Sequence, residues 1–169
     1  MKNDHHAGRL IASLIACFVP GYVALYLFTT SIPGWYSGLK KPGFLPSDLI
    51  VFYGIILLFG LLGLSLYSLW NAGASSSEVK AGIQFFLYTL TLLMLWFVSF
   101  FFLKAAFFAL VVMVMVLAML LCTLAQILRS AVNAAFFIIP ALILLLIACY
   151  ANLLIVELNA GLPVWGIIS

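Results

Sequence analysis

AAFFALVVMVMVLAMLLCTLAQIL (Ala105–Leu128), then Arg129, then SAVNAAFFIIPALILLLIACYANLLIV (Ser130–Val156): two runs of 24 and 27 residues carry no formal charge and are separated by one arginine. An α-helix rises about 1.5 Å per residue, so about 20 residues cross a hydrocarbon core about 30 Å thick. Each run is long enough to cross a bilayer once and too short to cross it twice. A charge at the centre of a span costs about 2.5–3.5 kcal/mol. Charges should therefore mark the ends of spans.

The same reading extends over the whole chain. Charges fall at Lys2, Asp4, Arg9, Lys40, Lys41, Asp48, Glu78, Lys80, Lys104, Arg129 and Glu157, leaving charge-free gaps at 10–39, 49–77, 81–103, 105–128 and 130–156. The expected fold is an all-α integral membrane protein, a bundle of five transmembrane helices. The helices are expected at about 10–30, 49–70, 81–103, 105–128 and 130–156, forming one domain over 1–169 with an ordered loop at 31–48. Composition agrees: 67% of the chain is hydrophobic and 7% charged, with a mean hydropathy of +1.34. Soluble domains carry about 25% charged residues, so a cytosolic enzyme, a nucleic-acid binder and a disordered chain are all excluded. A membrane β-barrel is excluded too, because its strands alternate polar and apolar residues in segments of about 10.

Five spans place the two ends of the bundle on opposite sides of the membrane. Lys2, Arg9, Lys80 and Arg129 fall on one side and Lys40, Lys41 and Lys104 on the other. That difference is too small to set orientation by the positive-inside rule. The net charge of +3 suits anionic headgroups. Leu14-Ile15-Ala16-Cys17 has the form of a lipoprotein cleavage box, but the tetrapeptide recurs at Leu146–Cys149 and the chain stays apolar to Phe28. The first segment is therefore read as a true span. Cys17, Cys122 and Cys149 all fall mid-span and read as small packing residues.

The connecting segments are unequal. Lys104 and Arg129 alone separate the last three spans, which implies tight antiparallel hairpins. Asn71–Lys80 reads as a flexible loop. Ser31–Asp48 holds three prolines, three glycines and three aromatics in 18 residues. Proline fixes φ and glycine permits positive φ, so this loop should hold one shape. Ser47 is placed to cap the second helix, with Asp48 in its first turn. Trp35 and Tyr36 then belong either to an interfacial aromatic belt or to an ordered lid over a cavity between helices.

Within this loop the residues Trp35-Tyr36, Leu39-Lys40-Lys41-Pro42 and Pro46 resemble the signature W-Y-x-x-L-x-K-P-x-x-x-P of the TspO/MBR family. The family comprises the bacterial tryptophan-rich sensory proteins and the mitochondrial translocator protein. Pro140, Ala148, Asn152, Leu158 and Asn159 are spaced as in the family's fifth helix, and Trp96 with Phe100, Phe101 and Lys104 resembles its third. The resemblance covers about residues 10–159. It implies ligand-binding roles for Trp35, Tyr36, Pro42, Trp96, Ala148 and Asn152. It also exposes departures: the family's aromatic residues fall on Ile55 and Leu144, its Tyr residues on Phe59 and Ala141, an Asn on Leu93 and a Leu on Ala151. Several of these positions line the family's pocket for porphyrins, sterols and isoquinolines, so the pocket here should be more aliphatic. Trp70 and Trp165 lie outside the motifs.

Polar residues in spans usually face the bundle interior. Asn152 and Asn159, seven apart, share a helical face with Ala148. Asn152 either joins a neighbouring helix or lines a cavity. Pro140 leaves the Phe136 carbonyl without its usual donor. Tyr53, Tyr67, Tyr88 and Tyr150 each offer a hydroxyl to a ligand, a neighbouring helix or the interface. His5 and His6 sit in a polar tail. No Asp, Glu, Lys, Arg or His lies inside a span, which argues against a proton pump, a charge-lined pore and acid–base catalysis. No catalytic residue, metal site or cofactor is expected. The expected partners are membrane lipids and an apolar small molecule such as a porphyrin or sterol, with no nucleic acid; a homodimer is left open. Two functions fit: a binding protein or sensor for that molecule, or a facilitator moving it across the membrane. An enzyme acting on porphyrins ranks third.

Overall fold

The computed structural model describes residues 2–73 and 76–160, with side chains from residue 6 onward. Ser75, Trp165 and the side chain of His5 lie outside the described residues. Five helices follow one another: α1 (Lys2–Ser31), α2 (Asp48–Asn71), α3 (Ser77–Phe97), α4 (Ala106–Ser130) and α5 (Val132–Leu158). All five are long and apolar enough to cross a bilayer, so the protein is an integral, multi-pass membrane protein. No strand occurs among the described residues.

The helix ends differ from the expected ones, and for one physical reason. Charge marks where a span leaves hydrocarbon, not where a helix stops. Thus α1 begins at Lys2, and the expected polar tail is helical. At about 1.5 Å per residue its 30 residues run about 45 Å, well beyond the hydrocarbon core. Likewise α3 begins at Ser77, where the Ser76 hydroxyl accepts the Val79 N–H at 3.1 Å. This cap satisfies one of the orphan donors of the first turn. Ser47 also stands at a helix N-cap, but its side chain makes no capping bond.

The loop expected at 31–48 is shorter than its composition suggests. A wider π-helical turn, Ile32–Tyr36, carries on from α1, so Trp35 and Tyr36 ride on a helix end and not on a loop. A second such turn, Val98–Phe102, follows α3. Such turns cluster at functional sites. Here the two turns face each other. Trp35 meets Phe100 edge-on at 5.1 Å, and Tyr36 lies 5.8 Å from Phe101. After the second turn, Lys104 takes a positive φ of 57° to reverse the chain into α4.

Around the bundle the order is α1, α2, α5, α4, α3, with α3 closing more lightly on α1. Close approach of α1 to α2 depends on glycine. A Cβ on Gly21 would come within 2.8 Å of the Phe59 ring, and one on Gly63 within 3.0 Å of Leu14. Small residues at such crossings let helices gain packing contact, the main attraction available in lipid. Hydrogen bonds add to it. Thr89 and Thr123 pair at 2.9 Å between α3 and α4, and Ser65 donates to the Ala134 carbonyl at 3.0 Å between α2 and α5. Phe28, Phe59, Phe86, Phe97, Met113 and Ile138 are among the fully buried side chains. The outer surface is a band of exposed apolar residues, from Tyr22 at 71% to Phe136 at 78%. The cysteines divide: Cys17 is buried, Cys149 is half-buried, and Cys122 faces outward rather than packing.

An odd number of spans yields a direct test. A reporter fused ahead of α1 should read the compartment opposite to one fused after α5. Identical readings from both fusions would overturn the five-span topology.

Candidate functional site

Between α2 and α5, at the end of the bundle capped by the 39–47 loop, lies a cavity of about 280 Å³. Its α2 wall is Ile50, Val51, Gly54, Ile55 and Leu58; its α5 wall is Leu144, Leu145, Ile147, Ala148 and Ala151. Trp96, Phe97 and Phe101 of the α3 segment form its back. Ile50 and Ile147 are about half exposed on the outer surface, so the cavity opens sideways towards lipid. A smaller chamber of about 80 Å³ shares Leu45, Val51, Trp96, Phe101, Ala148 and Ala151 with it and reaches Tyr36 and Asn152. Together they fall at the lower end of the 300–1,000 Å³ usual for small-molecule sites.

Small side chains account for this space. No atom lies within 4 Å of where a Cβ on Gly54 would stand. Ala148 and Ala151 are short residues on the facing helix. Ile55, Leu144 and Ala151, three positions where the chain departs from the family pattern, all border the cavity. Three other departures do not. Phe59, Leu93 and Ala141 are fully buried in the core and border neither chamber.

Asn152 is the polar centre. It is 1% exposed. In the amide orientation that matches donors to acceptors, its Oδ1 accepts from Trp96 Nε1 and from the Leu110 backbone N–H, both at 3.1 Å. Its Nδ2 donates to the Ala106 carbonyl at 3.1 Å. Ala106 and Leu110 are the pair that one turn of regular helix would bond to each other. Asn152 thus stitches α5 to the start of α4 and fixes the Trp96 indole. The two readings of this residue merge, since it joins helices and borders the smaller chamber as well. Trp96 also stacks on Phe100 at 5.7 Å and meets Phe97 edge-on at 4.8 Å.

The loop is strapped to the far side of the cavity. Asn159 accepts from the Lys40 N–H at 3.0 Å and donates to the Lys40 carbonyl at 2.9 Å. Phe44 stacks on Tyr150 at 5.4 Å. Pro42 is buried, and its carbonyl closes a turn by accepting from Leu45 N–H at 3.0 Å. The Lys41 ammonium sits 3.7 Å from the Tyr36 ring centre and 3.3 Å from an Asp48 carboxylate oxygen. Of the six residues named from the sequence, Tyr36, Trp96, Ala148 and Asn152 border the smaller chamber. Trp35 packs behind Phe100, and Pro42 shapes the loop. For Asn159 the sequence offers two signals, its place in the family's fifth-helix spacing and its spacing of seven from Asn152, but neither points to the loop it anchors. Among the tyrosines, Tyr53, Tyr88 and Tyr150 are more than half exposed, and none borders the cavity.

A five-helix membrane bundle with an apolar, side-opening cavity under a strapped loop has the architecture of a membrane ligand-binding protein. The TspO/MBR family model matches residues 13–158. The chain is 31% identical over 153 residues to the tryptophan-rich protein TspO of Archaeoglobus fulgidus, an alignment covering 90% of this chain and 97% of that one. It is 28% identical over 144 residues to the tryptophan-rich protein TspO of Chlorobaculum tepidum, covering 85% and 90% respectively. The chain belongs to the TspO/MBR family.

Proposed function

We propose that the protein is a binding protein or sensor that takes an apolar, lipid-like molecule from the bilayer into the cavity between α2 and α5. The observation that carries this reading is the cavity itself: carbon-lined, open towards lipid and backed by Trp96. Trp35, Tyr36, Pro42, Trp96, Ala148 and Asn152 contact the ligand or hold the surfaces that do. The size and aliphatic wall favour a slender ligand such as a sterol or single-chain lipid over a porphyrin. A porphyrin is a broad, flat ring with carboxylates, and among the described residues no cationic one borders either chamber. The same carbon-lined wall supports binding over catalysis.

The test is a titration of detergent-purified protein with a fluorescent sterol and with protoporphyrin. The sterol should bind saturably at one site, and protoporphyrin more weakly. Changing Ile55 and Leu144 to Trp should tighten protoporphyrin about two- to tenfold, since an aromatic pair adds about 0.5–1.5 kcal/mol. No saturable binding of either ligand above empty micelles would overturn the proposal. Sterol flux across vesicles without a saturable complex would replace it with a facilitator.

The loop supplies a second expectation. If its straps hold the cavity closed, Asn159→Ala, Trp35→Ala and Pro42→Gly should each raise the ligand off-rate with helix content unchanged by circular dichroism. A ligand orders the loop only through better contacts with its closed form. Equal off-rates across the set would leave the loop a passive connector.

A further inference from the structure

At the opposite end of the bundle a second cleft of about 390 Å³ separates the last turn of α2 from the α4–α5 junction. Its wall is polar where the lateral cavity is apolar: Tyr67, Ser68 and Asn71 face Ser130 and Asn133. Half-buried Arg9 stands beside it, donating from Nη1 to Asn71 Oδ1 at 3.3 Å. Arg129 immediately precedes Ser130. Arginines cannot rest in the hydrocarbon core without heavy cost, so this cleft lies at headgroup depth. Ala131, the residue before α5, has no side chain able to cap that helix. The N–H groups of Val132 and Asn133 are therefore left for an acceptor other than a cap, at the positive end of the helix dipole. Among the described residues no carboxylate borders the cleft. Below it, Val132 and Phe136, one turn apart on α5, are 66% and 78% exposed, an apolar track leading from the cleft into the bilayer.

We propose that this cleft holds the phosphate headgroup of an anionic phospholipid, with Arg9 and the polar wall receiving the phosphate and an acyl chain lying along Val132 and Phe136. The site is distinct from the lateral cavity and does not depend on the function proposed for it. Native mass spectrometry of the purified full-length protein, incubated with phosphatidylglycerol or with diacylglycerol of the same chains, tests it. Wild type should retain phosphatidylglycerol and release diacylglycerol. Arg9→Gln should lower retention about fivefold, the usual share of one basic residue at a membrane surface, and Arg9→Lys should restore most of it. Because Arg9→Gln also removes a contact between α1 and α2, Asn133→Trp provides a second arm. Asn133 is exposed and joins no hydrogen bond described above, and a Trp there would fill the cleft and should abolish retention with the fold intact. Inorganic phosphate at the lipid's concentration should not compete. Equal retention by wild type and both loss variants, equal retention of the two lipids, or displacement by inorganic phosphate would each overturn the assignment.

Discussion

Gly54→Phe should weaken ligand binding about tenfold to a hundredfold while leaving the bundle folded. The glycine borders the lateral cavity, and a side chain there meets no atom within 4 Å of its Cβ. The new ring would stand where the ligand is proposed to lie. Forcing ligand and ring into one space costs about 1–3 kcal/mol, the usual penalty for overpacking. The fold should tolerate the change, because the ring fills space instead of displacing neighbours. Gly21→Val is the matched control: there a Cβ collides with the Phe59 ring at 2.8 Å, so stability should fall through loosening of α1 from α2. Both variants are read by thermal unfolding in detergent and by ligand titration. Wild-type affinity in the Gly54 variant would remove the cavity from the binding site.

Asn152→Leu should cause the largest loss of stability among single polar substitutions in the spans. It would leave the Trp96 indole N–H, the Leu110 N–H and the Ala106 carbonyl without their shared partner. One interhelical hydrogen bond in a membrane contributes about 0.6 kcal/mol on average and at most about 1.7, so three on one residue predict a loss of about 2–4 kcal/mol. Unfolding in a denaturing detergent titration measures it. The Trp96 indole, released from its acceptor, should also show a shifted fluorescence maximum. If Asn152 served the ligand alone, apo stability would not change.

Much of the fold could be read from the charges. Eleven charged residues in a chain of this length mark the membrane boundaries directly, and each charge-free gap holds the greater part of one helix. What the charges do not encode is helix beyond the membrane. The helical Lys2–Arg9 stretch and the π turns after α1 and α3 depend on backbone bonding and packing. Proline misled in a similar way. Pro33 and Gly34 look like loop residues, yet both sit within the π-helical turn that continues α1, where Pro33 has no N–H to donate and the Ser31 hydroxyl donates to the Phe28 carbonyl at 2.7 Å.

The site was legible unevenly. Asn152 stood out because an amide in hydrocarbon demands partners. Its dual role did not, since the partners lie on α3 and α4, far away in sequence. The cavity could not be read from its own residues, because a wall of Ile, Leu and Ala has the same composition as any lipid-facing surface. Comparing departures from the family pattern gave a partial signal. Ile55, Leu144 and Ala151 border the cavity, whereas Leu93 and Ala141 pack in the core. A restored Asn at position 93 would thus bury an amide among apolar neighbours, at a desolvation cost of about 1–3 kcal/mol, without reaching the ligand.

The order of helices around the bundle has a kinetic consequence. Neighbours α3 and α4, and α4 and α5, are joined by turns of a few residues, so neither pair can part without straining covalent chain. Neighbours α2 and α5 share no such tether; α3 and α4 intervene in sequence. Among the described residues their seam is held by packing, by the Ser65 bond to Ala134 and by the loop straps at Asn159 and Tyr150. Two seams around the ring lack a short covalent tether, this one and the lighter α3–α1 closure, and this one borders the lateral cavity. Exchange of the ligand proposed for the cavity through that gap would need no partial unfolding, and residues 39–47 would tune its rate without touching the helices that keep the protein in the membrane.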